Sequence, residues 1–313
     1  MQRVFCLYTG GTIGCVPGAD GLRPAPDGMA ERLATEAGAL GCALSFAALP
    51  ELLDSSCMLP ADWHAIACRV ATALAEHDAV LVLHGTDTMA YTAAALSFLL
   101  DGLARPVVLT GSQRPWGQEG SDAPANVRLA LESALAGQAG VWLAFGGKLL
   151  PGRHVHKVAA DADDAFAAPN APVSPLAEVM PHPAPLRVRA LDPTLRVLAV
   201  RLYPGSAAWL AAALRHDPPD ALLLECYGTG NLPDDPALAV VLRELAGGIP
   251  LVACSQCLSG EVQLGRYQAG SLLAELGALP AGRLGAPACL AQLHVLLSTS
   301  RDAAELRQLW QTG

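Results

Sequence analysis

The strongest constraint on this chain is the alternation of short β-rich runs with helical segments through its first half. Val4 to Tyr8, Ala79 to Leu83, Pro106 to Thr110 and Val141 to Phe145 read as strands. The stretches between them carry helical spacing, the pattern of crossover units wound around a parallel sheet. One such stretch, "LPADWHAIACRVATALAEH", places Pro60 in a first helical turn and aligns Trp63, Ile66, Ala67, Val70 and Leu74 on one face. Thr88 to Leu100 and Ser121 to Ala136 also read as helices.

Between Ala168 and Pro193 the repeated prolines can neither propagate a helix nor occupy a central strand, which marks a linker. Beyond it the alternation resumes, with strands at Leu195 to Leu202, Ala221 to Cys226 and Leu251 to Cys254. Helices are expected at Ser206 to Arg215, Pro236 to Leu245, Ala288 to Leu297 and Asp302 to Trp310. The expected fold is therefore two-domain α/β. A larger N-terminal catalytic domain over 1–180 contains a parallel sheet, 181–194 is a linker, and 195–313 is a smaller, doubly wound α/β domain.

Composition narrows the class of partner. No apolar run reaches the roughly 18 residues of a membrane span, although 52% of the chain is hydrophobic. The apolar stretch before the first Thr-Gly-Gly turn is too short for a secretory leader, so a cytoplasmic protein is expected. A net charge of -9 without a basic block argues against nucleic acid and membrane surfaces, and leaves a small-molecule ligand. Nine cysteines at irregular spacing read as buried small hydrophobes rather than a disulfide framework or a metal site.

Two strand ends carry the chemistry. "VFCLYTGGTIG" and "AVLVLHGTDTM" both finish an apolar strand in Thr and Gly, and ligands of open parallel sheets bind at the carboxyl ends of strands. Gly10 and Gly11 permit a tight turn, so that Thr12 can face a crevice with backbone N–H groups nearby. Gly85 does the same for Thr86 and Asp87, while Thr88 can cap the helix that follows. Either motif alone is also an ordinary turn and cap. "TGGTIG" lacks the G-x-G-x-x-G spacing of a dinucleotide site.

A nucleophilic Thr needs a base. His84 ends the strand run and reads as packed beneath the motif. Lys157 is the better candidate, because the chain has eighteen arginines and only two lysines, Lys148 and Lys157. Lys can lose its proton where Arg cannot. The segment "GCVPGADGLRPAPDG", with four glycines and three prolines, reads as a mobile lid or a plain surface loop.

"YTGGTIG" and "LHGTDTMAYTA" together resemble the two signatures of the bacterial-type L-asparaginases. Further matches follow in order: "LLDSSCM" (52–58), "TGSQRP" (110–115), "GRHVHK" (152–157), "DDAFAAPN" (163–170), "LYPG" (202–205) and "YGTGN" (227–231). The chain is most similar to the cytoplasmic type I branch. The resemblance implies an amidohydrolase that converts L-asparagine, with L-glutamine as a second candidate substrate, to the acid and ammonia without cofactor or metal. It assigns Thr12 as nucleophile, with Thr86, Asp87 and Lys157 as a second polar group of the site. It assigns Gly11, Asp54, Ser55, Ser56, Gly85, Thr86 and Asp87 to substrate binding. It also implies a homodimer or homotetramer in which Asn231 and Glu261 approach a neighbouring subunit's site.

Two departures stand out. Many relatives carry a lid Tyr in a "GY" pair, where this sequence has Gly21-Leu22, so the Thr12 proton needs another carrier. Glu225 and Cys226 occupy the place where allosteric type I enzymes have an Arg before "YGxGN". The competing readings are a glutaminase-type amidohydrolase and a sensor that binds asparagine or aspartate with little turnover.

Overall fold

In a computed structural model that describes residues 1–18, 21–172 and 185–312, the chain divides into two compact units, Met1–Arg189 and Ala190–Gly313. The first unit runs β1 (Arg3–Gly10), β2 (Cys15–Gly18), β3 (Gly21–Pro24), α1 (Met29–Ala39), β4 (Ala43–Leu53), α2 (Pro60–Leu74), β5 (Ala79–Leu83) and α3 (Met89–Leu99). It continues with β6 (Leu100–Asp101), β7 (Pro106–Thr110), α4 (Ala123–Leu135), β8 (Gly140–Phe145), β9 (Lys148–Pro151), β10 (His156–Lys157), β11 (Phe166–Ala167) and β12 (Arg187–Val188).

Six strands form one sheet in the order β4-β1-β5-β7-β8-β9, parallel except where β9 folds back on β8. Every residue of β5, β7 and β8 is buried, as expected of strands covered on both faces, and this explains their unbroken apolar runs. Along β1 the side chains alternate. Val4, Cys6 and Tyr8 join Met29 and Leu33 of α1 and Val127 and Leu131 of α4 in one core. On α2 the five residues of the expected apolar face are all buried. α3 is apolar around most of its circumference and correspondingly buried. Leu81, 0% exposed at the centre of β5, has no room to relax into, so Leu81→Ala costs about 2–5 kcal/mol.

The strand order places the binding crevice. From β1 the chain crosses first to β4 on one side and later to β5 on the other, so the connections leaving β1 and β5 diverge. Ligands of open α/β sheets occupy such a switch point, at the carboxyl ends of the strands. Thr12 and Thr86 follow those two ends.

Several elements differ from the sequence expectation. β4 was not expected, because its Ala-rich run contains Pro50 and shows no alternation; as a half-exposed edge strand it tolerates both. The glycine-rich stretch after Thr12 is not an irregular loop: β2 and β3 pair antiparallel, with Pro17 opposite Leu22, and residues 19–20 lie outside the described residues. Within the Pro-rich segment, residues 173–184 also lie outside the described residues. Past them, Arg187–Val188 pairs antiparallel with Leu100–Asp101 of the first unit, so part of the expected linker is strand.

The second unit runs β13 (Val197–Arg201), α5 (Ala207–His216), β14 (Ala221–Cys226), α6 (Pro236–Ala246), β15 (Leu251–Ser255), α7 (Ser271–Glu275), β16 (Leu279–Pro280), α8 (Ala286–Thr299) and α9 (Ala303–Thr312). Its four strands are parallel and lie in chain order. Asp235 caps α6 by accepting a hydrogen bond from the Leu238 amide at 2.9 Å, just ahead of Pro236 in the first turn. α8 packs across β13, β14 and β15 through Cys289, Leu293, Leu296 and Leu297. All nine cysteines are free thiols. Among the described residues no helix is long and apolar enough to cross a membrane.

Candidate active site

At the end of β1 the backbone turns through Gly10 and Gly11, whose φ values of 126° and 91° no L side chain adopts without strain. A Cβ on Gly11 would collide with the Gly85 backbone, so the two strand ends touch main chain to main chain. Thr9 adds a stitch, its buried hydroxyl donating to Leu83 O at 2.9 Å. Thr12, partly exposed, then opens a single turn of 3₁₀ helix over Thr12–Gly14. Among the described residues no side chain hydrogen-bonds its hydroxyl.

A third segment closes on the same point. Asp54 caps the turn Ser55–Cys57, accepting from both the Ser56 amide and the Ser56 hydroxyl at 2.9 Å. Ser55 is buried against Gly85, where a Cβ would overlap its side chain. Thr88 locks this loop to the second strand end by donating to Ser55 O at 2.7 Å. Thr88 therefore serves the 54–57 loop; its expected side-chain cap on α3 does not form.

Lys157 arrives from the segment that follows β9, the edge strand at the opposite end of the sheet order from β4. It lies in β10, paired with β11, with Lys157 opposite Phe166. The intervening loop is tethered at several points. Gln113 Nε2 donates to Ala160 O and Ala162 O at 3.3 and 3.0 Å, Arg114 pairs with Asp163 at 2.8 Å, and Lys148 pairs with Asp164 at 2.6 Å. Each exposed pair is individually weak, but together they hold one short arm. From that arm Lys157 Nζ reaches Thr86 Oγ1 at 2.9 Å and Asp87 Oδ1 at 2.6 Å. Thr86 is buried, the Lys157 side chain is 18% exposed and that of Asp87 is 62% exposed, so the group is sealed at one end and open at the other.

His84 lies beneath, 0% exposed, and burial pushes its imidazole down to about 4. A neutral ring held inside the core fits the reading of a packed side chain rather than a base facing the crevice. The sequence reading missed Thr9 and Gln113, whose partners are distant in the chain; a Thr at the end of an apolar strand was the available signal for the first. Asn231 and Glu261 belong to the second unit, where Asn231 closes a β-bridge with Tyr227 and Glu261 is exposed. Leu22 is 57% exposed on the β2–β3 hairpin. Among the described residues no cluster of three or more His, Cys, Asp or Glu side chains is arranged to hold a metal.

So the first unit gathers Gly11, Thr12, Asp54, Ser55, Ser56, Gly85, Thr86, Asp87 and Lys157 around the carboxyl ends of β1 and β5. The arrangement combines small hydroxyl groups, a carboxylate, an amine and a close-approach backbone, which suits the recognition and cleavage of a small polar substrate. Comparison with known proteins agrees. Residues 3–186 match the family model described as Asparaginase, N-terminal, and residues 196–310 match the Glutaminase/Asparaginase C-terminal domain. The sequence is 37% identical over 324 residues to L-asparaginase 1 of Escherichia coli, covering 98% of this chain and 95% of that protein. The fold superposes on the thermostable L-asparaginase of Thermococcus kodakarensis with a TM-score of 0.88 at 33% identity, covering 98% of this chain and 96% of the other. L-asparaginase I of Vibrio cholerae gives 0.86 at 32% identity, with 100% and 97% covered. With both halves matched and a relative of this similarity along almost its whole length, the chain belongs to the asparaginase family.

Proposed function

We propose that this chain is a cytoplasmic amidohydrolase that converts L-asparagine and water to L-aspartate and ammonia through a covalent ester on Thr12. The observation that carries the reading is the convergence of Lys157 Nζ on Thr86 Oγ1 and Asp87 Oδ1, beside the Gly11–Gly85 contact that sets Thr12 next to them.

In this reading the Thr12 hydroxyl attacks the side-chain amide carbon, and the N–H groups of Thr12 and Thr86 receive the developing oxyanion. The C–N bond breaks, the nitrogen leaves as ammonia with the proton given up by the hydroxyl, and an aspartyl ester remains. Water then attacks the ester. Its proton passes to Thr86 and on to Lys157 Nζ, which in its uncharged form has a lone pair to take it. Aspartate leaves and Thr12 regains its hydrogen. Asp87 holds the substrate α-ammonium as well as Lys157, and Asp54, Ser55 and Ser56 grip the α-carboxylate. The division into a catalytic domain over 1–180, a linker over 181–194 and a second domain over 195–313 belongs to the same reading. So does assembly as a homodimer or homotetramer, in which Asn231 and Glu261 of one protomer face another protomer's site. Glutamine is longer by one methylene, which a pocket discriminates by about 1–3 kcal/mol.

The test is ammonia release from asparagine by the purified protein and by Thr12→Ala. The expected result is turnover by the first and none by the second. An inactive parent protein, or a variant of unchanged rate, rejects the assignment. The sensor reading is favoured by one observation, the absence of a hydroxyl at Leu22 on the hairpin beside Thr12. Tight calorimetric binding of asparagine without ammonia would establish it instead.

A further inference from the structure

Lys157 sits on a hairpin that cannot hold its own position. β10 and β11 contribute two residues each and form a two-stranded sheet of their own, and so short a pair is marginal in water without other support. The amine is carried on a flexible stem, so a hairpin that drifts takes the amine with it. Its place is therefore set by what grips the 158–165 turn from outside. Lys148 holds that turn at Asp164, while Gln113 and Arg114 hold it at Ala160, Ala162 and Asp163.

Gln113 and Arg114 lie on the turn after β7, and that turn is fixed by one half-buried carboxylate at the start of α4. Asp122 Oδ1 accepts from the Gln113 and Arg114 amides at 3.1 and 3.0 Å, and Oδ2 accepts from the Gln113 amide at 2.9 Å and from Asn126 Nδ2 at 3.0 Å. Bonds to an ionised acceptor are about twice as strong as neutral ones. Two consecutive amides aimed at one carboxylate leave the turn little freedom. Arg114 is steadied further, its Nε donating to Gly120 O at 2.7 Å while Nη2 meets both oxygens of Asp163 at 2.8 and 3.0 Å. Asn126, 2% exposed, carries the network to the next strand end: Nδ2 also donates to Gly111 O at 3.1 Å, and Oδ1 accepts from the Gly146 amide at 3.0 Å. The Gly146 backbone lies against Asp163 and Asp164, where a Cβ would collide with the chain. The turns after β7 and β8 thus both reach the arm, and one pair of side chains, Asp122 and Asn126, holds them.

We infer that Asp122 is a positioning residue: by fixing the turn that bears Gln113 and Arg114, it sets where the arm holds Lys157 Nζ against Thr86. The inference deepens the amidohydrolase reading above, on which its kinetic part rests. It touches neither substrate nor Lys157 directly and acts only through the relay of Arg114 on Asp163 and of Gln113 on the arm backbone. A misplacement of about 1 Å at a reacting group costs on the order of 10²-fold in rate, so a device this far from the chemistry can still govern it.

Four variants test it. Asp122→Ala removes the acceptor, Asp122→Asn keeps one oxygen within reach of both amides, Arg114→Met cuts the grip on Asp163, and the fourth combines Asp122→Ala with Arg114→Met. Asparagine kinetics, calorimetric binding of aspartate and hydrogen exchange are measured on each, well below the melting temperature. In Asp122→Ala, kcat should fall roughly 10- to 10²-fold while KM and aspartate affinity stay near the parent values. Asp122→Asn should recover part of the loss. The combined variant should lose no more than Asp122→Ala alone, because one residue acts through the other. The amides of Val158 and Ala159, which bond Ala165 O at 2.8 and 3.3 Å, should exchange faster once the arm is released. A folded Asp122→Ala with parent kcat overturns the inference. So does a loss confined to KM and aspartate binding, or losses that simply add in the combined variant. Should Asp122→Ala fail to fold, Arg114→Met decides, a lowered kcat at constant KM supporting the assignment and an unchanged kcat rejecting it. A parent protein that releases no ammonia sinks the amidohydrolase reading alone, since the exchange of Val158 and Ala159 still reports whether Asp122 holds the arm.

Discussion

Lys157 combines two properties that an arginine in its place could not: an amine able to give up a proton, and a reach that ends on both Thr86 and Asp87. Lys157→Arg keeps the positive charge and the donors but loses the movable proton. Its kcat toward asparagine should therefore fall about 10²–10⁴-fold, the usual worth of a positioned acid or base, with the fold intact by circular dichroism. A variant at parent rate would remove Lys157 from the chemistry. At this scale the sequence was informative where the residue type itself is unusual. One of only two lysines in a chain of eighteen arginines, and Thr and Asp at the end of an apolar strand, announce themselves. Thr9 and Gln113 do not, because each is an ordinary residue until the register of the sheet shows that its partner is Leu83 or the 160–162 backbone. His84 was recognised as a packed side chain, but the bond to its neighbour's carbonyl was not visible without a structure.

At the scale of elements, the site is a meeting of loops that a few hydrogen bonds hold in register. The bond from Thr88 to Ser55 O joins the 54–57 loop to the start of α3. Thr88→Val should free that loop at a cost of about 0.5–1.5 kcal/mol, seen as a twofold to tenfold weaker aspartate affinity with little change in kcat. Calorimetry beside steady-state kinetics separates the two effects. The buried strands β5, β7 and β8 were legible because both faces are covered and their sequences are continuously apolar. β4 was not, since an edge strand needs neither alternation nor freedom from Pro. The two-residue strands β10 and β11 carry no periodicity at all; their pairing is set by the tethers on the loop between them.

For the whole molecule, buried imidazoles couple stability to pH. His84 is pushed down to about 4, and His156 and His294 are lowered too, each chiefly by burial. On unfolding these groups return to the ordinary imidazole range near 6.5. Their contribution is complete above that value and declines as the pH falls, because the unfolded chain binds protons that the folded one refuses. For His84 the decline ends near 4 and amounts to roughly 3 kcal/mol. Urea titrations at fixed protein concentration should show a lower midpoint at about pH 4.5 than near pH 7, and His84→Asn should flatten that dependence. A midpoint that does not move would contradict the burial of these rings. The two-unit α/β plan was readable from the alternation of strand and helix. The strand order that creates the switch point was not, because it depends on which side of β1 each crossover takes.

The tether on the arm that carries Lys157 has a practical corollary for amine-directed chemistry. The Lys148 side chain is 46% exposed against 18% for Lys157, so an acylating reagent meets Lys148 first. Neutralising it breaks the grip on Asp164, and a label placed outside the crevice would slacken the hairpin that presents the Lys157 amine to Thr86 and Asp87.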